Sequence, residues 1–254
     1  MTLSVLIATM NQKDHSLIEK MNIKTDAIVV NQCSRNEFEN FSYNKNDIKF
    51  ISLNERGVGL SRNTALMRAK SDIVVFADED EIFVEDYEKL IVDEFQKNPN
   101  ADMILFNVKS MNPERPIKQV TKKHRVHWYN FGKYGAVRIA LKTKSVFEKN
   151  IYFSLLFGGG AKYANGEDSL FIMDCLKSGM KIYATNELIG SVEQKGSTWF
   201  EGYNKNFFVD RGALYKKMFG KMSFLASLVF LVKKYNYYKN EISFWKALKY
   251  MNQK

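Results

Sequence analysis

The chain reads as an α/β protein: an open, mostly parallel sheet with helices on both faces. Three observations carry that expectation. Short, β-branched runs alternate with stretches of helical period, as in successive βαβ units. The runs are largely apolar instead of strictly alternating, as suits strands covered on both faces. With 254 residues, 45% of them hydrophobic and 26% charged, the chain can bury a sizeable core and has a folded protein's balance.

In order, the expected strands are 3–9 (LSVLIAT), 26–32 (DAIVVNQ), 48–53 (IKFISL), 72–77 (DIVVFA) and 102–108 (DMILFNV). Between them, Leu60, Ala65, Leu66 and Ala69 share one face of a helix over 58–70. Tyr87, Leu90, Ile91 and Phe95 do so over 84–97. Residues 109–135 are a polar, proline-bearing, aromatic-rich break. Beyond it come a strand in GAVRIAL, then a glycine-rich loop and helix in FGGGAKYANGEDSLFIMDCLKSG, ended by Gly179. KIYATNELIGSVEQ then supplies one or two further strands. The expected division is two halves of one domain, 1–110 and 111–212, followed by a tail, 213–254.

In the tail an apolar block, 222–232, is flanked by Lys216, Lys217, Lys221, Lys233 and Lys234, with Trp245, Lys246 and Lys249 further on. The block is too short to cross a bilayer as a helix. Apolar faces, aromatics and basic flanks suit helices lying in an anionic membrane surface; the other reading packs the block on the protein's own core. A formal net charge of +10 points to an anionic partner, whether nucleic acid, lipid or phosphorylated substrate, or to a solvated lysine surface. Cys33 and Cys175 match no metal-ligand spacing, and MTLSVLIATMNQ lacks the pattern of a signal peptide, so a reduced, cytoplasmic setting is expected.

Against this basic background, DIVVFADEDEIF (72–83) ends an apolar strand in Asp78, Glu79, Asp80 and Glu81. Asp78 and Asp80, one residue apart, can present oxygens to Mg2+, which one or two carboxylates typically hold together with substrate phosphates. The alternatives are a solvated turn or a cap for the helix expected near Val84. Position favours the cation, because ligands of open α/β sheets bind beyond the carboxyl ends of the strands. Glu79 and Glu81 read as exposed or helix-starting residues. In NGEDSLF, Glu167 and Asp168 stand between a glycine-rich loop and a helix, where a carboxylate is either a general base or an N-cap. Arg56, Arg62 and Asn63 sit where a loop enters a helix, as phosphate or base contacts, or as a surface cation and cap. No G-x-G-x-x-G spacing, P-loop or nucleophile elbow occurs, and His124 and His127 are too isolated to read as metal ligands.

Four segments in order, SVLIATMN (4–11), GVGLSRNTALMRAKSDIVVFADED (57–80), NGEDSLF (165–171) and KGSTW (195–199), resemble the inverting family 2 glycosyltransferases of the GT-A fold. The resemblance implies a nucleotide-sugar-binding half, 1–110, and an acceptor-binding, catalytic half, 111–212. Ala8, Thr9 and Asn11 would contact the nucleoside, and Arg62, with Asn63, the base and phosphates. Asp80 chiefly, with Asp78 beside it, would hold Mn2+ or Mg2+ on the donor's diphosphate, Glu79 lying next to the donor. Asp168 would be the base, with Glu167 its neighbour. The sequence departs from the family at two places. An acidic base reader after the second strand is replaced by Asn31 or Gln32, whose amide can still pair with a base edge. The histidine before the GST loop is missing from SVEQKGST, where Lys195, with Arg56, would supply charge to the leaving diphosphate.

The implied activity is transfer from a nucleotide-diphosphate sugar, expected to be a UDP-sugar, to a hydroxyl of a glycan or polyprenyl-linked acceptor in cell-surface polysaccharide synthesis. The enzyme would lie on the inner face of the cell membrane, with no nucleic acid partner. Two alternatives compete. A sugar-phosphate nucleotidyltransferase would carry a Gly/Arg-rich loop after the first strand, which ATMNQKDHS lacks. A non-catalytic protein binding membrane or nucleic acid would account for the charge but not for the two carboxylate motifs.

Overall fold

In the computed structural model, which describes residues 1–194 and 202–253, the first apolar run forms β1 (Leu3–Met10). A short α1 (Leu17–Lys20) leads to β2 (Asp26–Gln32), β3 (Glu37–Tyr43) and β4 (Asn46–Leu53). Then follow α2 (Val58–Leu66), β5 (Ile73–Asp78), β6 (Glu81–Phe83), α3 (Tyr87–Lys97) and β7 (Met103–Ser110). The second half holds β8 (His124–Arg125), β9 (Ile139–Lys142), α4 (Thr143–Glu148), α5 (Glu167–Lys177) and β10 (Ile182–Val192). The chain closes with α6 (Lys205–Phe219), α7 (Ser223–Tyr238) and α8 (Phe244–Met251).

The strands form one sheet in the order β3-β4-β2-β1-β5-β9-β7-β10-β6, with β8 on β10. Its centre is parallel: β4, β2, β1 and β5 run together, as do β7 and β10. Side chains of β1 and β5 alternate between two cores. Leu6, Val74 and Phe76 face one, against α2 and α5; Val5, Ile7, Ile73 and Val75 face the other, against α3. Apolarity on both faces of these runs is thus the mark of a sheet sandwiched between helix layers.

Several elements depart from the local pattern. The hairpin β3–β4 turns through Asn44 and Lys45, both at positive φ, so its signal is an Asn with no glycine. β9 lies antiparallel between β5 and β7, interrupting the parallel set. The acid cluster does not run straight into a helix: β6 pairs antiparallel with Gly190–Val192 of β10, and Val84 N–H bonds the Ile189 carbonyl, delaying α3 to Tyr87. A Cβ at Gly190 would lie 2.8 Å from the Ile82 carbonyl, so glycine permits that pairing. β10 is one strand, irregular between Ala184 and Gly190.

The C-terminal helices pack around Phe208, Leu231, Tyr238, Ala247 and Met251. They begin at Lys205, upstream of 213, because the Asn204 side chain accepts the Phe207 N–H at 3.0 Å and starts α6 there. The apolar block is divided: Ser227 and Leu231 are buried, while Phe224, Leu225, Val229 and Val232 remain exposed. No described helix is long and apolar enough to cross a membrane.

Candidate active site

The register of the parallel strands aligns their carboxyl ends. Ala8 of β1 stands opposite Asp78 of β5, while Thr9 and Met10 face Asn31 and Gln32 of β2. Beyond these ends opens a cleft of ≈ 630 Å3, walled by Ala8, Thr9, Gln32, Asp78, Glu79 and Asp80. It lies where an open α/β sheet places its ligand. Gln12, Lys20, Val58 and Gly159 also line it, and reading the motifs alone missed them. Gln12 had one signal, its position directly after the Asn11 of the first motif; Asn11 itself turns at φ 55° and is exposed.

The four acids separate by environment. Asp78 bonds Arg62 at 2.8 Å. Glu79 is neither loose nor helix-starting: it accepts from the Thr9 hydroxyl, from Met10 N–H at 2.9 Å and from Gln12 Nε2 at 3.1 Å, fastening the loop after β1. Asp80 accepts the Gln194 N–H at 3.1 Å, and its carbonyl accepts the Glu193 N–H. Burial, with Asp78 adding to it, holds its carboxyl above the usual range against that hydrogen bond. Glu81 corrects its reading as an exposed residue. It is fully buried on β6, among the described residues neither carboxylate oxygen has a hydrogen-bond partner, and burial raises its pKa well above the ordinary value.

Arg62 joins the two carboxylate motifs. Its side chain is 4% exposed, with Nη2 on Asp78 and Nη1 on Glu167 at 2.9 Å, and it lies over the Phe153 ring. Burial works against the guanidinium's charge, but Asp78 and Glu167 outweigh it and the net pKa shift is upward. In this arrangement Arg62 grips carboxylates instead of facing an open phosphate site. Asn63 also turns inward: its amide donates to the Phe153 carbonyl at 2.9 Å and accepts the Phe153 N–H at 2.8 Å. Asn31 is fully buried, bonded to Ser52 Oγ and to both backbone groups of Gln12. Gln32 reaches the cleft with Oε1 on the Gly57 N–H at 2.7 Å. Arg56 is exposed, donating to the Gln32 carbonyl at 3.3 Å. Lys195 and the KGSTW motif lie outside the described residues.

Asp168 is not the N-cap of α5. Gly166, at φ 108°, holds that position, and the helix begins at Glu167. Asp168 Oδ1 accepts the next residue's N–H, from Ser169 at 2.6 Å, while a Cβ on Gly135 would lie 3.5 Å from Oδ2. Burial, then the Glu167 carboxylate, push its pKa up to about 7, against the pull of Arg62. That value suits a group that gains and loses a proton near neutrality. Gly158, at φ 104°, supports the pair: a Cβ there would press on the Glu167 carboxyl at 2.8 Å.

Among the described residues no three His, Cys, Asp or Glu side chains gather as a self-contained metal site. Asp80 and Asp78 share one cleft wall, and among the described residues no cationic side chain is bonded to Asp80. Such a pair fits a hard cation completed by a ligand's phosphate oxygens and water.

The family model for glycosyl transferase family 2 matches residues 9–154, more than half of the chain. The chain belongs to glycosyl transferase family 2. The match includes Arg62, Asp78 and Asp80 and ends before Glu167 and Asp168. This family 2 glycosyltransferase matches no curated protein in sequence. In fold it is similar to S. aureus TarS. It aligns with the 1–349 fragment in complex with UDP-GlcNAc at TM-score 0.68 and 18% identity, over 95% of this chain and 74% of that one. The fragment's UDP complex gives 0.66 and 18%, over 96% and 76%. Against TarS in a longer form the values are 0.65 and 17%, over 96% of this chain and 46% of that one. Membership of the family takes the place of the two alternative activities raised from sequence.

Proposed function

We propose that the protein transfers a sugar, with inversion, from a UDP-sugar to a hydroxyl of a glycan or polyprenyl-linked acceptor in cell-surface polysaccharide synthesis. The observation that carries this reading is the pairing through Arg62. A buried guanidinium bonds Asp78 and Glu167 at once, which supports a reading in which the diphosphate site and the base work as one unit. The UDP-GlcNAc and UDP complexes of TarS support a uridine donor. Gln32, whose Nε2 is the amide group left over in the cleft, is better placed than the saturated Asn31 to meet the base.

In this mechanism Asp168 accepts the acceptor's hydroxyl proton while that oxygen attacks the anomeric carbon from the face opposite the departing diphosphate. Glu167, anchored on Arg62, keeps Asp168 basic enough to take the proton. Asp80 and Asp78 would hold Mn2+ or Mg2+, which when bound supplies positive charge to the leaving diphosphate. The exposed Phe224 and Val232 of α7, with the exposed Lys221 and Lys239 at its two ends, favour contact with an anionic membrane surface on the cytoplasmic side.

The test is a screen of nucleotide sugars with Mn2+ or Mg2+, scoring release of nucleoside diphosphate. UDP release that depends on the cation and is abolished in both Asp80→Asn and Asp168→Asn is the expected result. Near-normal turnover by Asp168→Asn would remove the base assignment, and turnover indifferent to chelator would remove the metal.

A further inference from the structure

A second cavity, of ≈ 530 Å3, opens beside the proposed base, between the 128–132 loop and helices α6 and α7. Ser169, next in sequence to Asp168, lines one end of it. The loop that walls it through Trp128, Phe131 and Gly132 continues to Gly135, which abuts Asp168 Oδ2. Most of the remaining lining is apolar, from Leu214 and Tyr215 of α6 to Leu225 and Val229 of α7, with Leu225 and Val229 exposed.

Its charge is one-sided. Arg211, Lys233 and Lys234 line the groove, and among the described residues no Asp or Glu does. The Arg211 guanidinium carbon lies 5.5 Å from the Phe207 ring centroid and 5.4 Å from that of Phe230, and among the described residues its buried Nε has no hydrogen-bond partner. Arg211 is half-buried, and among the described residues no carboxylate bonds it, so its charge is open to an anionic ligand. A glycan alone would use neither the aliphatic wall nor three cations. An amphipathic anion uses both.

We propose that this groove binds a long-chain isoprenyl phosphate, the lipid end of the acceptor, with its chain along α6 and α7 and its phosphate on Arg211, Lys233 and Lys234. The inference rests on the glycosyltransferase reading above and deepens it. It assigns the acceptor's carrier a site that delivers the hydroxyl past Ser169 to Asp168, and it separates that site from the exposed side of α7 that faces a bilayer.

The test is calorimetric titration of the full chain with farnesyl phosphate, farnesol and inorganic phosphate. Farnesyl phosphate should bind, farnesol at least about tenfold more weakly and inorganic phosphate not measurably. The double variant Lys233→Gln/Lys234→Gln, changed only at exposed positions, should weaken farnesyl phosphate about tenfold. Arg211→Gln should do the same, its fold checked by circular dichroism. Equal binding of farnesol, or no change in the lysine variant, overturns the inference. So does a variant that loses only its binding to phosphatidylglycerol vesicles, which would make the lysines a general membrane contact. UDP-GlcNAc turnover is measured on the same preparation. Farnesyl phosphate binding with the expected lysine dependence, but without turnover of any nucleotide sugar, sinks the enzymatic reading and leaves the groove. Turnover without farnesyl phosphate binding sinks the groove alone.

Discussion

A carboxyl held near 7 by burial and by Glu167 is only partly ionised at neutral pH, so transfer should rise with pH along a limb centred near 7. The same shift bears on stability. The folded pKa lies above the ordinary carboxylate value, so the folded state binds more protons between about pH 4 and 7 and loses stability as pH rises through that window. Asp168→Asn should therefore abolish transfer and, at pH 8, melt at a higher temperature than the native protein; calorimetry at pH 5 and pH 8 checks it. Arg62 opposes the shift, and removing it leaves Asp78 and Glu167 as uncompensated charges around a buried hole. Arg62→Met should cost about 3–5 kcal/mol in urea unfolding and move the activity limb to higher pH. Asp78, Asp80, Arg62 and Asp168 were legible because each belongs to a short linear motif. Their connection was not: Arg62 and Glu167 stand 105 positions apart, and only the packing of α5 beside α2 brings them together. Glu81 was misread for a related reason. Nothing local distinguishes an acid at a turn from one folded under β10.

At the scale of elements, apolar runs gave the parallel centre, while the order of strands depended on contacts between distant segments. The strand in GAVRIAL was visible, but its place between β5 and β7 was not, since either neighbour satisfies an apolar face. The aromatic stack beneath α2 illustrates what the pattern does carry. Phe153 and Phe171 stack at 4.1 Å and Phe76 meets both edge-on, tying β5, the 151–157 segment and α5 into one core. Phe76→Ala should cost about 3–5 kcal/mol, read as a lower urea midpoint. Between α6 and α8 a smaller residue decides the spacing. A Cβ at Gly212 would collide with the Met251 carbonyl, so Gly212→Ala should push α8 off α6 and cost about 1–3 kcal/mol by the same measurement.

For the whole molecule, net charge and an apolar tail block suggested a surface but could not say which part of the block faces inward. Helical packing settles that division: Leu231 and Tyr238 close the three-helix core, whereas Phe224, Val232 and Trp245 stay outside. Phe224→Glu/Val232→Glu should therefore reduce co-sedimentation with phosphatidylglycerol vesicles several-fold, with the fold unchanged by circular dichroism. Unaltered sedimentation would confine the tail to intramolecular packing. The Arg62 bridge has a further consequence, in the history of the chain. Three positions in two distant motifs share one buried balance of charge, so they are not free to drift one at a time. A descendant that loses Arg62 is expected to lose a carboxylate at position 78 or 167 as well, and these sites should covary across relatives as a triplet.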